Sequence, residues 1–212
     1  MIAFFEALPA ALGTTLLVSL SSLVIGAVAA VPLLLGRVSR NRLLSGATRA
    51  LIEVVRGVPP VVWVFIVFFG VEIGSFRFDP MPAAVLAFSL ISAAYIAEVY
   101  RGGYLSVKAG QFEAAAALGL SRTRAFADVV APQLFRVAVP GVVAYAVGLL
   151  KDTSIVSIIG VADIVFAASR AMRATGDPIL PFLVVAALYL AISLPIGLLG
   201  RAVYTALRKK VA

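Results

Sequence analysis

The chain has 212 residues, 62% of them hydrophobic and 13% charged, with a formal net charge of +8 and a mean hydropathy of +1.09. A soluble domain of this length would be far more polar, so the sequence reads as one polytopic membrane domain, 1–212, with no separate soluble part. With neither cysteine nor histidine it can build no disulfide, thiol nucleophile, Ser–His–Asp triad or histidine-ligated metal site.

The leading segment, MIAFFEALP, carries Glu6 and no basic residue, so the first apolar run reads as a retained span and not a cleaved signal peptide. Five spans are predicted, at about 10–36, 58–75, 82–101, 138–160 and 178–203, each near the roughly 20 residues a bilayer requires. The second is the least regular: Pro59 and Pro60 stand at its start and Glu72 near its end. Arg37, Arg40, Arg42, Arg49 and Arg56 separate the first two spans. Arg101, Lys108, Arg122, Arg124 and Arg136 separate the third and fourth, and Arg201, Arg208, Lys209 and Lys210 close the chain. The other side receives only Arg77, Arg170 and Arg173. The positive-inside rule then predicts an external N-terminus, a cytoplasmic C-terminus and a cytoplasmic loop over about 102–137. The basic C-terminal residues read as a membrane-surface anchor, not a nucleic-acid site.

That loop contains QFEAAAALGLSRTRAF, residues 111–126, which is too polar and too small-residued for a span. Alanine favours helix over 114–117, and Glu113 is expected near the helix start, where the dipole favours an acid. Gly119 permits a bend or left-handed cap. Ser121 can cap a second helix, expected over 122–131 and ending before Pro132.

In the fourth predicted span, LLKDTS places charge where charge is costly. Lys151 is eleven residues past Pro140 and so roughly 16 Å deep at about 1.5 Å per residue, near the middle of a core roughly 30 Å thick. Lys151 and Asp152 could neutralise one another. Alternatively they face a water-filled path, where Thr153 and Ser154 offer hydroxyls if the helix unwinds. Together they supply an acid and a base, as a zwitterionic amino acid requires. By spacing alone, Lys151 and Ser154 also admit a Ser–Lys hydrolase, and the spans admit an ATP-independent carrier or channel. Glu98 in the third span is placed to pair with Arg101 three residues on, and Arg56 stands at the mouth of the second span.

Four blocks in order carry a resemblance. EAAAALGL followed by APQLFRVAVPG resembles the EAA motif of ABC importer permeases, with Glu113, Ala114, Ala115 and Gly119 in the matching places and Leu120 beside them. ALIEVVRGVPPVVWVFIVFFG, AYIAEVYRGGYLSVKAGQFEAAAALGLS, LLKDTSIVSIIGVADI and the early TTLLVSLSSLVIGAVAAVPL resemble the polar amino acid permeases within that group. The chain departs mildly at Val58 and Pro60. The resemblance implies an all-α membrane protein of five transmembrane helices, with a cytoplasmic two-helix coupling loop that docks in a cleft on an ATPase. It implies two permease subunits, two cytoplasmic ATPase subunits that bind ATP and Mg, and an extracytoplasmic binding protein, in a bacterial inner membrane. On this reading the chain is no enzyme, and no G-x-x-x-x-G-K-[ST] phosphate loop occurs in it. The cargo would be a polar amino acid or another small zwitterion such as an opine. Lys151, Asp152, Thr153, Ser154, Arg56 and Glu98 become candidates for the substrate path.

Overall fold

The computed structural model describes residues 1–73 and 76–208, so Lys209 and Lys210 of the expected anchor lie outside the described residues. Among the described residues nine α-helices follow one another: α1 (Ile2–Arg37), α2 (Arg42–Gly57), α3 (Pro60–Gly70), α4 (Pro80–Leu105), α5 (Ala109–Ala117), α6 (Arg122–Arg124), α7 (Ala131–Asp152), α8 (Ile164–Thr175) and α9 (Ile179–Arg208). A π-helical stretch, Ala125–Val130, joins α6 to α7, and a 3-10 helix, Thr153–Ile159, continues α7. The strands described form a two-residue ladder, β1 (Glu72–Ile73) against β2 (Phe76–Arg77). The all-α membrane architecture expected from the sequence is what the chain forms.

Among the described residues four helical runs are long and apolar enough to cross a bilayer: α1, α4, the run Arg122–Ile159, and Ile179–Thr205 within α9. The second predicted span takes another form. α3 has 11 residues, about 16 Å of helix, which is half a hydrocarbon core. It qualifies only together with α2, across a break bent by 99°. The prolines cause the break: Pro59 forces Val58 out of the helical region, to φ −95° and ψ 134°, and Pro60 starts α3 where a missing N–H costs nothing.

Other boundaries also differ from expectation. α1 starts at Ile2 and not near residue 10, and at 36 residues it is about 54 Å long, well beyond one core thickness. The second helix of the loop does not stop before Pro132, and the fourth span does not begin near 138: one helical run continues from Arg122 through Pro132 and Pro140 to Asp152. The π-helical register just before Pro132 spaces bonds one residue wider, so the proline's missing donor does not end the run. Neither α2 nor α8 was expected.

The core is built on α4, the most enclosed span, packed chiefly against α1. Its buried face is rich in alanine, with Ala83, Ala84, Ala87, Ala93, Ala94 and Ala97 all inaccessible, so neighbouring backbones come close. Gly26 of α1 shows how close: a Cβ there would overlap the Ser92 side chain and touch the Ala93 nitrogen. Gly103 plays the same part between α4 and α7, where a Cβ would lie 2.7 Å from the Leu134 carbonyl oxygen. A smaller core forms where α8 and α9 meet the start of α1, around Phe4, Ala11, Ile164, Ala168 and Val185. α9 is the least enclosed span, and Leu180, Leu183, Leu190, Leu194, Leu198 and Leu199 face outward from it.

Candidate functional site

Three groups of polar residues stand out in this apolar frame. The first is the jointed element between α4 and α7. α5 ends in a Schellman arrangement: Leu120 N–H donates to the Ala115 carbonyl at 3.1 Å and Gly119 N–H to that of Ala116 at 3.0 Å. Gly119 takes φ +71°, the left-handed region that glycine reaches without penalty. Ser121 then caps α6, its Oγ accepting from Arg124 N–H at 3.4 Å. Glu113 is the fifth residue of α5, so the first turn holds no acid and the expected dipole contact is absent. Its carboxylate is exposed, as are Ala114, Ala116, Ala117 and Leu118, whereas Ala115 is buried inward. The outward surface is therefore small-residued, with one acid and, beyond the joint, Arg122 and Arg124.

The element is braced on the spans. Gln133 on α7 donates to Gln111 on α5 at 3.2 Å, and Phe112 meets Tyr104 of α4 edge to face at 5.8 Å. One turn before Arg101, the Glu98 carboxylate receives Arg101 at 2.7 Å, the pair expected from spacing, and also Arg37 from the end of α1 at 3.3 Å. This clamp ties α1 to α4 just above the joint. It keeps Glu98 apart from the other path candidates.

The second group lies where α7 ceases to be an α-helix. Lys151 and Asp152 are its last two residues and both are exposed on the single chain. No ion pair joins them among the described residues. From Thr153 the backbone tightens into 3-10 geometry, which ends at Gly160 with φ +92°. Thr153 is buried, its Oγ1 3.0 Å from Ser19 Oγ on α1. One turn earlier on α1, Thr15 Oγ1 accepts from Ile164 N–H at 3.3 Å. Next to it Asp163, fully buried, caps α8 by accepting from Phe166 N–H at 2.8 Å through Oδ1, and its Oδ2 has no hydrogen-bond partner among the described residues. Burial pushes the Asp163 carboxyl up to about 6, against the pull of the Phe166 N–H. Thr15, Ser19, Thr153 and Asp163 thus form a polar seam through the apolar core, with half-buried Ser154 beside it.

The third group is a column at the elbow. The Arg56 guanidinium sits 4.9 Å from the centre of the Tyr95 ring, which stacks on Tyr145 at 5.4 Å and 19°. Tyr145 shares a 3.0 Å hydrogen bond with Ser92. Asp152 lies seven residues after Tyr145, two turns up the same face of α7. Arg56 therefore does not meet Lys151, Thr153 or Ser154. It is joined to their helix through the two tyrosines.

Sequence reasoning missed Thr15, Ser19 and Asp163. The signal was present: Thr15, Ser19 and Ser22 recur at helical spacing along an otherwise apolar span, and all three are buried. No cluster of acidic residues able to hold a metal occurs among the described residues.

Comparison with known proteins agrees with this geometry. Residues 22–212 match the family described as binding-protein-dependent transport system inner membrane component. The nopaline transport system permease protein NocM of Agrobacterium fabrum is 36% identical, across 89% of this chain and 83% of its own. The arginine transport system permease protein ArtQ of Bacillus subtilis is 34% identical, across 91% and 88%. The histidine/lysine/arginine/ornithine permease HisQ of Escherichia coli is 31% identical, across 83% and 82%. A crystal structure of an amino acid ABC transporter with histidines superposes with a TM-score of 0.88 at 27% identity, covering 97% of this chain and 96% of that one. The inward-facing MetNI methionine ABC transporter shares the fold, with a TM-score of 0.79 at 18% identity. The chain belongs to the family of inner-membrane components of binding-protein-dependent transport systems, the permease subunits of ABC importers.

Proposed function

We propose that this multi-pass chain is the permease subunit of an ATP-driven importer of polar amino acids in a bacterial inner membrane, with its N-terminus outside. The observation that carries this is the jointed element: an exposed small-residue helix, a left-handed glycine and a capped second helix that runs unbroken into α7. Such a knob suits a socket on a partner, and the names of the amino acid permeases to which the chain is similar point to an ATPase as that partner. Glu113, Ala114, Ala115, Gly119 and Leu120 form the knob and its joint. ATP and Mg would be bound by the partner, since the chain has no phosphate loop of its own. A second permease subunit and an external binding protein complete the assembly.

In this reading ATP closes the partner dimer, α5 is pushed, and the run α6–α7 carries the motion to Thr153. The change from α to 3-10 geometry there lies beside the polar seam, so a shift of α7 moves one wall of the path against α1 and α8. Lys151, Asp152 and Ser154 line that wall, Thr153 fixes it to α1, and Arg56 controls the cytoplasmic mouth through Tyr95 and Tyr145. Proteoliposomes containing the permease, its ATPase and its binding protein test this: arginine, histidine and lysine are offered with and without ATP. ATP-dependent uptake of one of them supports the reading. Uptake that persists with no ATPase subunit refutes it. A second cargo, an opine, is favoured by one observation, the 36% identity to the nopaline permease protein, and nopaline belongs in the same uptake panel.

A further inference from the structure

We propose that α2 is an interfacial helix that binds an anionic glycerophospholipid, its headgroup on Arg40 and Arg42 and its chains against the leucine face. The helix has three faces, set by its own sequence. Thr48, Ile52 and Val55 are buried against the bundle. Arg42, Arg49, Glu53 and Arg56 recur at intervals of seven, four and three, which makes one charged stripe. The remaining face, Leu43, Leu44, Ala47, Ala50, Leu51 and Val54, is apolar and exposed, with Leu43 83% and Val54 58% accessible. An exposed apolar face beside a charged stripe is the pattern of a helix lying in a membrane surface.

The position of α2 agrees with that. Ser45 Oγ donates to the Arg37 carbonyl at 2.9 Å, and Gly36 packs on Thr48, so α2 is fastened to the end of α1. That end is where Arg37 and Arg101 clamp Glu98, a short distance before the coupling element begins at Ala109. The 99° bend then turns α3 into the bundle. α2 is thus held across the spans at the level where they leave the membrane.

Charge selects the headgroup. Arg49 is taken by Glu53 at 2.7 Å, and Arg56 lies over Tyr95. Arg40 and Arg42 are exposed and make no ion pair among the described residues. Two uncompensated guanidiniums at the membrane surface attract a phosphodiester and favour a lipid that carries net negative charge. An apolar groove of about 320 Å³ opens beside the leucine face, lined by Ile25 and Leu33 of α1, Leu51 and Val55 of α2, and Leu86 and Leu90 of α4. It gives an acyl chain a seat between three helices.

The chain's one tryptophan reports on this place. Trp63 Nε1–H donates to the carbonyl of Val55, a groove residue, at 3.0 Å. The whole chain is reconstituted in phosphatidylcholine vesicles with a minority of phosphatidylglycerol, brominated in one lipid or the other. Bromine quenches Trp63 when the lipid lies against it. Quenching per mole should be severalfold greater from brominated phosphatidylglycerol. That preference should vanish in R40Q/R42Q and persist in R40K/R42K, with helical content unchanged. Equal quenching by both lipids, or a preference that survives R40Q/R42Q, overturns the proposal. So does the absence of quenching by either lipid, which would mean that a second copy or another protein covers α2. The readout involves no transport, so it stands or falls apart from the proposed function.

Discussion

At the scale of single residues, two positions carry clear consequences. Gly119 has open space where a Cβ would point, so its requirement is conformational and not steric. Gly119→Ala should therefore weaken the joint by about 1–2 kcal/mol, seen as faster amide exchange at Leu118–Leu120 and lowered uptake. Gly119→Asn should be milder, because asparagine tolerates the left-handed region. Asp163 is the second position. Its raised carboxyl means that the fold favours the protonated form. That contribution is full below the ordinary carboxylate range and is lost as pH rises through about 6. Tm in detergent should fall over that window in the wild type, while Asp163→Asn, which keeps the α8 cap, should show a flatter profile. An unchanged slope in the variant would show that Asp163 does not titrate there. The two residues differ in legibility. Gly119 and Ser121 announce themselves because capping is local chemistry. Asp163 does not, because what makes it unusual is burial beneath α1, more than a hundred residues away in the chain.

At the scale of elements, close helix packing and a few hydroxyls hold the spans in register. Gly26→Val should be severely destabilising, since even one carbon at that site overlaps Ser92 and the loss would fall on the α1–α4 contact. The Ser19–Thr153 pair should be worth little by comparison. A double-mutant cycle with alanine at both positions should give about 0.6 kcal/mol, as interhelical bonds in membranes do. A coupling energy near zero would mean that the seam is held by something else. The long apolar helices were legible from composition alone. α2 was not, because its apolar residues are divided between a buried and an exposed face and interrupted by four charges, so no window is uniformly greasy. The run through Pro132 was also illegible: proline reads as a breaker in an α-helix, yet the run passes Pro132 directly after a π-helical stretch and Pro140 within α7.

At the scale of the whole molecule, the proposed function makes the arrangement a lever. The coupling element is braced to α4 by Phe112 and Tyr104 and to α7 by Gln111 and Gln133. α7 runs from that brace to the 3-10 break beside the polar seam, so under the proposed function a push at one end would reach the other without a flexible link. The sequence blocks single out 111–121 and 151–154, which stand at the two ends of this run. What they could not supply was the connection, which depends on helix continuity and on contacts between α1, α4 and α7. The most direct test uses the permease reconstituted with its ATPase and binding protein, comparing the wild type with Glu113→Lys and Gly119→Pro. Both variants should insert normally but lose uptake and the ATP hydrolysis stimulated by loaded binding protein. Wild-type uptake in both variants would contradict the proposed function.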